Sequence, residues 1–227
     1  MKLNRIILTT ILFLSIGVSF AYATSFATLH LDIIAETVRE GQNVIFTGKL
    51  TTVDGSPIAN RTIFVLDDTT YTRPDIILTT TITDSDGKFS TTWNAIPKDN
   101  GSPFHFYAKF IGGKTFGYTR SEVYESILVK SDKISTDMIP WKTMPMWFKN
   151  TSQMWSSGQI RNVDYSFSVQ NLIYYGVVKT NTPIESELKI PLWVKNDANW
   201  FSKGQISDDE YANTLAYILD NKIHSMK

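Results

Sequence analysis

The amino-acid sequence predicts a multidomain protein in which an all-β sandwich is followed by two α-helical hairpin repeats. Three observations carry this prediction: polar and apolar residues alternate through the first half, apolar residues recur at helical spacing in the last third, and the helical pattern occurs twice, offset by 46 residues. The predicted divisions are a signal peptide at 1–23, a β-sandwich domain at 24–130, a linker at 131–139, a first hairpin at 140–179, a second linker at 180–189 and a second hairpin at 190–227.

The first 23 residues have the three parts of a secretory signal. Lys2 and Arg5 give a positive start, residues 6–20 are mainly apolar, and residues 21–23 read Ala-Tyr-Ala, a small-residue cleavage site. We therefore expect the mature chain to begin at Thr24, without a membrane span, and to be extracellular or on the cell surface. The alternative, an uncleaved membrane anchor, is disfavoured because the stretch is short for a bilayer and carries Ser and Thr.

Short segments between residues 26 and 130 have the two-residue period of half-buried strands. Apolar residues alternate with polar ones over 29–33, 44–50 and 89–93, whereas 63–66 is continuously apolar and suits a strand covered on both sides. Further candidate strands occupy 76–83, 104–111 and 122–129, and Asp-Gly or Gly-Gly turns separate several of them. A count of about seven short strands is typical of a small β-sandwich.

The helical part contains one sequence unit used twice. In each copy we expect Pro at the start of a first helix and a left-handed Gly at its end. Five apolar residues at helical spacing then predict a second helix. The recurring residues are Pro145, Trp147, Lys149, Asn150, Ser156, Gly158, Gln159, Ile160 and Tyr165, matched by Pro191, Trp193, Lys195, Asn196, Ser202, Gly204, Gln205, Ile206 and Tyr211.

The two copies differ at the start of the second helix. Ser207 and Glu210 form a predicted capping box in the second copy. Arg161 and Asp164 occupy these places in the first copy, where we expect Asn162 to act as the cap and the helix to begin less firmly.

Tryptophan side chains are concentrated in the repeat, and they have two interpretations. Large aromatic residues bury much area in a small helical hairpin, which favours core packing. Alternatively, they form an exposed platform that stacks on a ligand. Solvent accessibility of Trp147, Trp155, Trp193 and Trp200 separates the two interpretations.

Composition excludes several classes of function. Removing residues 1–23 leaves 20 basic and 22 acidic side chains, a net charge of about −2, so nucleic acid is not expected as a partner. Cysteine is absent, which excludes thiol catalysis, Cys-type zinc sites and iron–sulfur clusters. Asn60, Asn100 and Asn150 stand in acceptor sequons and are candidate glycosylation sites in an exported chain.

No motif predicts a metal, cofactor or catalytic site. The loop ending at Glu210 is like half of an EF-hand, but Phe201 and Lys203 stand where calcium needs oxygen ligands. The turn around Asp84 lacks the glutamate of such a loop, and Gly113-Lys114-Thr115 lacks the first glycine of a phosphate loop. The three histidines, His30, His105 and His224, are not at zinc-ligand spacing, and no serine-hydrolase elbow or selected carboxylate pair occurs.

Two resemblances cover nearly the whole predicted mature chain. Residues from about 38 to 130 resemble an immunoglobulin-like or prealbumin-like surface module, through Gly48-Lys49-Leu50, Asp54-Gly55-Ser56-Pro57-Ile58, Thr83 to Phe89 and Ala108 to Gly112. The repeat, with Ile190 to Asn196, Trp200, Gly204 to Asp208 and Tyr211 to Ile223, resembles a Trp-rich C-terminal repeat of exported proteins from ammonia-oxidising archaea. The resemblance implies an envelope protein and brings no activity with it.

The sequence therefore favours an exported, non-enzymatic protein of the cell surface that acts as a structural or recognition module. Its expected partner is an envelope protein or a surface glycan. The alternative is a carbohydrate- or peptide-binding accessory module that uses exposed Trp side chains, and a hydrolase is a third hypothesis that needs a concave site with converging acid or base groups. No binding residue is assigned, and the sequence does not tell whether the two hairpins touch.

Overall fold

A computed structural model describes residues 25–32, 37–69, 74–96, 103–129, 143–181, 183 and 188–223, in which two β-sheets and four α-helices are found. The predicted signal peptide, the linker at 131–139 and half of the linker at 180–189 lie outside the described residues, as do Asn100 and His224. Among the described helices, none combines the length and the apolar character needed to cross a membrane.

The two sheets face each other in a β-sandwich-like arrangement. One contains three strands in the order β1-β3-β6, and the other follows the order β2-β9-β7-β4-β5, with the short β8 paired to β7. All pairings are antiparallel except that of β2 with β9. The strands are β1 Ala27–Leu31, β2 Thr37–Arg39, β3 Asn43–Thr52, β4 Thr62–Asp67, β5 Ile76–Ile82, β6 Lys88–Asn94, β7 Phe104–Phe110, β8 Thr119–Arg120 and β9 Tyr124–Val129.

Alternating side chains build the core between the sheets, as the sequence predicts. Phe46 of β3 and Phe106 of β7 are fully buried and meet edge to face at 5.2 Å between ring centres. Gly48 of β3 leaves room for the neighbouring strands. A Cβ atom there would lie 2.1 Å from the carbonyl oxygen of His30 and 2.5 Å from the ring of Phe89, so no side chain fits without moving the backbone.

Strand β4 is buried on both faces, which confirms the prediction from its continuous apolar run. Ile63 and Val65 belong to the core between the sheets. Phe64 and Leu66 point the other way, into a second core that is shared with the helices. The helices therefore form a third layer on the outer face of the larger sheet, a packing that the sequence alone did not predict.

The helices are α1 Met146–Ser156, α2 Asn162–Tyr174, α3 Lys195–Ser202 and α4 Asp208–Asp220, and a 3₁₀ turn at Leu192–Val194 leads into α3. Gly158 and Gly204 follow α1 and α3 with φ of 79° and 70°, the left-handed conformation expected of them. Ser207 accepts a hydrogen bond from the Glu210 N–H at 3.2 Å, and the Glu210 carboxylate accepts from the Ser207 N–H at 2.7 Å, which confirms the capping box.

The expected cap of α2 is wrong. Arg161, not Asn162, holds the N-cap position, and the Asp164 carboxylate accepts from the Arg161 backbone N–H at 3.1 Å. The Asn162 side chain instead accepts from the indole N–H of Trp155 at 2.9 Å. The reason is that the Asp164 carboxylate also binds the sheet, so contacts between the helix and the sheet fix where the helix begins.

Polar contacts of α2 fix its position on the sheet. The fully buried Asp164 accepts from the Thr62 hydroxyl of β4 at 2.8 Å and forms an ion pair with Arg161 at 2.6 Å. Two turns further along, Asn171 donates to the backbone oxygen of Asp75 at 2.8 Å and accepts from the Ile77 N–H at 3.4 Å. The three contacts with Thr62, Asp75 and Ile77 set the register of α2 against β4 and β5.

Candidate functional site

The helices form two pairs, α1 with α2 and α3 with α4. The two helical pairs contact each other through buried aromatic side chains. The hydroxyl groups of Tyr165 in α2 and Tyr211 in α4 lie 2.5 Å apart, and both residues are fully buried. Trp155 stacks on Tyr165 at 3.9 Å, and Phe201 stacks on Tyr211 at 4.5 Å. Burial is the main cause that raises the pKa of both tyrosines, so both phenols stay protonated at neutral pH.

Cationic side chains cross between the two helical pairs in a reciprocal way. The Lys149 ammonium of α1 lies 5.3 Å from the centre of the Phe201 ring, and the Lys195 ammonium of α3 lies 5.5 Å from the centre of the Trp155 ring. Lys149 and Lys195 are 46 residues apart, as are Trp155 and Phe201. This cation–aromatic contact of one pair is thus returned by the other, as in a two-fold arrangement.

The tryptophan side chains divide into a buried and an exposed set. Trp147 and Trp155 are 5% and 0% exposed, so core packing is the correct interpretation for α1. Trp193 and Trp200 are 45% and 47% exposed, so core packing is wrong for these two side chains, although Val194 and Phe201 of the same copy are fully buried. The physical difference is position. Helix α1 contacts both β5 and α3, whereas α3 contacts α1 and α4 and turns another side to solvent.

The exposed side of α3 and of the 3₁₀ turn before it forms the candidate functional site, which we call the Trp face and define as Trp193, Asn196, Asp197 and Trp200. Trp193 and Trp200 are seven residues apart, about two helical turns or roughly 10 Å along the axis. Asn196 is exposed and Asp197 is partly buried, and both lie between the two indoles on the helix surface. Partial burial raises the pKa of Asp197.

This arrangement offers two kinds of contact at once. The two indole rings supply flat apolar surface, and the Asn196 amide and Asp197 carboxylate supply hydrogen-bonding groups between them. Leu192, 59% exposed, lies next to Trp193 and extends the apolar area. Such a surface suits stacking and hydrogen bonding with a partner, and it has no nucleophile paired with a base.

The calcium-like motifs have structural roles. Phe201 is fully buried against Tyr211, and the Glu210 carboxylate is engaged by Ser207 in the helix cap. At the other motif, the Asp84 carboxylate accepts from the backbone N–H groups of Asp86 and Lys88, both at 2.9 Å, and so closes its own turn. Across the described ranges, no group of three or more His, Asp or Glu side chains could hold a metal ion.

The remaining candidate residues are dispersed. His30 of the three-stranded sheet is exposed near Asp32. His105 and Glu125 lie 3.5 Å apart, and both belong to the larger sheet. Gly113-Lys114-Thr115 is an exposed loop between β7 and β8, in agreement with the Gly-Gly turn predicted between two strands. Asn60 and Asn150 are exposed, as a glycan acceptor must be.

The comparisons with known proteins give no family. No model of a known protein family matches the sequence, and no curated protein matches it. Among solved structures, a superoxide reductase (neelaredoxin) from Ignicoccus hospitalis is similar to this chain with 13% sequence identity and a TM-score of 0.31, over 45% of this chain and 83% of that chain. A similarity this low carries no inference about function.

Proposed function

We propose that the protein is an exported recognition module of the cell surface, without catalysis, and that the Trp face is its contact surface. The observation that carries this proposal is the exposure of Trp193, in the 3₁₀ turn before α3, and of Trp200, in α3, while Trp147, the equivalent of Trp193, is buried. The signal-like segment at 1–23 supports export. We assign no catalytic residue, cofactor or metal.

We also propose the finer architecture given above: an immunoglobulin-like sandwich and two copies of one helical hairpin. The strand order β9-β7-β4-β5 in the larger sheet supports the first part, since it follows the order of the equivalent immunoglobulin sheet. The reciprocal Lys149 and Lys195 contacts support the second part. The division into separate domains stays a prediction, and the envelope of an ammonia-oxidising archaeon is proposed as the setting on the sequence resemblance alone.

The area of the Trp face is sufficient for an anchor. A tryptophan side chain buries about 150–250 Å² when it is fully covered, so covering the exposed half of each indole removes roughly 100 Å² from water. At about 25 cal/mol per Å², each ring contributes on the order of 2–3 kcal/mol to binding. Tryptophan is also one of the residues that most often dominate protein interfaces.

Two partner classes remain as candidates for the same surface. An envelope protein would cover Leu192 together with the two indoles. A surface glycan, the second candidate, is favoured by Asn196 and Asp197, because a sugar ring stacks its apolar face on an indole and offers hydroxyl groups to the amide and the carboxylate. The two classes differ in what must be removed from the envelope to abolish binding.

The test is a sedimentation assay with native envelopes. We expect the double variant Trp193→Ala/Trp200→Ala to bind at least 100-fold more weakly than the parent chain, because two indole contacts of about 2 kcal/mol or more are lost. Tyr217→Ala is the matched control, since Tyr217 of α4 is 63% exposed and lies outside the Trp face. Equal binding by the parent and the double variant would overturn the proposal.

The same assay separates the two partners. Periodate treatment of the envelopes destroys vicinal diols of sugars, whereas protease treatment removes exposed polypeptide. Loss of binding after periodate alone identifies a glycan partner, and loss after protease alone identifies a protein partner. Binding that survives both treatments would exclude both classes and contradict the proposed function.

A further inference from the structure

A groove separate from the Trp face runs along α2. Two adjoining clefts of about 290 and 470 Å³ share Lys109, Phe167 and Gln170 and therefore form one continuous groove. One wall is a single side of α2, from Val163 to Tyr174, and the other wall comes from the ends of strands in the larger sheet. We call it the α2 groove. Its size suits a small organic ligand and not a macromolecule.

The cation of Lys109 lies inside this groove. Lys109 pairs with Phe64 across β4 and β7, so its side chain points to the side of the sheet that the helices cover. Its ammonium group lies 4.8 Å from the centre of the Phe167 ring and 5.7 Å from that of Tyr118. Over the described part of the chain, this ammonium has no hydrogen bond and no ion pair.

A second cation stands beside the first. Arg120 of β8 is the direct antiparallel partner of Lys109, so both side chains lie on the same side of the sheet. The Arg120 guanidinium lies 5.6 Å from the centre of the Tyr107 ring and, within the described ranges, has no carboxylate at ion-pair distance. The wall of the groove thus holds one cation, Lys109, and a second cation, Arg120, stands on the neighbouring strand directly opposite it.

The Asp75 carboxylate also lines this groove, where it accepts hydrogen bonds and keeps its negative charge. The Asp75 side chain accepts a hydrogen bond from the Tyr107 hydroxyl and another from the Thr69 N–H at 3.3 Å. Burial lowers the pKa of Lys109 most, the charge of Asp75 raises it in opposition, and the charge of Arg120 lowers it by the smallest of the three effects. Asp75 therefore offsets part of the charge of Lys109, but within the described ranges neither Lys109 nor Arg120 has a carboxylate at ion-pair distance.

We propose that the α2 groove binds a small organic anion, whose carboxylate, sulfonate or phosphate head lies between Lys109 and Arg120 and whose apolar body packs on Phe167 and Tyr118. The head would give each cation the direct ion pair that Asp75 does not provide, and it would offset the repulsion between the two cations. The aromatic side chains that flank Lys109 offer flat surface for a ring or an alkyl chain. This site is independent of the Trp face.

The probe for this proposal is 1-anilinonaphthalene-8-sulfonate, an aromatic anion whose fluorescence rises when it leaves water. The titration is run on the full folded chain at low ionic strength, since salt screens the attraction. We expect Lys109→Met to weaken dye binding about 10-fold or more and Arg120→Met about 3-fold, while Lys109→Arg keeps binding within 3-fold. Lys114→Met, which removes an exposed charge from the neighbouring loop, is the control and should change binding less than 2-fold.

An uncharged analogue separates charge recognition from adhesion to apolar surface. N-phenyl-1-naphthylamine has a similar shape and no anionic head, so Lys109→Met should leave its affinity unchanged or raise it. The inference is overturned by equal sulfonate affinity in the parent and Lys109→Met, or by equal losses for the charged and the neutral dye. It is also overturned by loss of dye binding in Trp193→Ala/Trp200→Ala. Should Lys109→Met fail to fold, the exposed Arg120→Met decides by the same criterion.

Discussion

Replacement of Asp164 by Ala tests whether the helical layer is held on the sandwich by the buried contacts of this one carboxylate. The carboxylate accepts from the Thr62 hydroxyl at 2.8 Å and from three nitrogens of Arg161, the backbone N–H at 3.1 Å, Nε at 2.9 Å and a terminal nitrogen at 2.6 Å. Asp164 itself is fully buried, and the Arg161 side chain is 35% exposed.

The expected cost follows from what the substitution leaves behind. Breaking a fully buried ion pair costs about 3–5 kcal/mol, because the remaining charge keeps its desolvation penalty. Arg161 reaches solvent in part and keeps a hydrogen bond to the Gly112 carbonyl oxygen, so the low end applies. Adding the unpaired Thr62 hydroxyl, at about 1 kcal/mol, we expect Asp164→Ala to lower the free energy of unfolding by about 3–4 kcal/mol.

The assay is urea unfolding of the full chain followed by tryptophan fluorescence and by circular dichroism. Asp208→Ala is the control, since the Lys149–Asp208 pair at 2.9 Å is partly exposed and its loss should cost less than about 1 kcal/mol. Thr62→Val should cost about 1 kcal/mol alone and little when combined with Asp164→Ala, because both remove the same hydrogen bond. A cost below about 1 kcal/mol for Asp164→Ala would refute the docking of α2 described here.

Three further predictions concern packing. Tyr211→Phe should lower the free energy of unfolding by about 1–2 kcal/mol, since it removes the hydrogen-bond partner of the Tyr165 hydroxyl, whereas Tyr165→Phe/Tyr211→Phe should cost less than the sum of the single variants. Burial raises the pKa of both tyrosines, so these two phenols ionise at lower pH in the unfolded chain than in the folded one. The free energy of unfolding should therefore fall as the pH rises above about 10, and it should fall less steeply in the double variant. An equal dependence of the free energy of unfolding on pH in the parent chain and the double variant would contradict this. Gly48→Ala should cost about 2 kcal/mol or more because its Cβ meets the His30 carbonyl oxygen, and Gly117→Ala, with open space at the Cβ position, is the control. Equal melting temperatures of the two glycine variants would count against the strand packing.

Local patterns were sufficient for seven of the nine described strands, for the left-handed glycines after α1 and α3 and for the cap of α4, but they missed β2 and β8 and misplaced the cap of α2. Alternation placed Phe46 and Leu50 in the core, and the continuous run of β4 predicted cover on both of its faces. What covers the second face could not be predicted, because the contact between Thr62 and Asp164 joins residues 102 positions apart. No periodicity encodes a pairing at that distance.

The repeat also shows that a sequence pattern does not predict which of two equivalent side chains is exposed. Trp147 and Trp193 occupy equivalent places in the two copies, yet the first is 5% exposed and the second is 45% exposed. Equal sequence position predicts equal helical environment but not equal tertiary environment, since α1 has neighbours on more sides than α3. The Lys109 cation could not be predicted for the same reason. A single lysine in a strand forms no motif, and its groove exists only after α2 has packed on the sheet.

The central claim is that the Trp face is covered when the protein binds the envelope. Iodide quenching of tryptophan fluorescence, measured before and after addition of native envelopes, tests it most directly, with Trp193→Phe/Trp200→Phe as the reference. We predict that envelopes lower the iodide-accessible fraction of the parent chain and leave that of the double variant unchanged. An accessible fraction in the parent chain that stays the same while the protein is fully bound would contradict the claim.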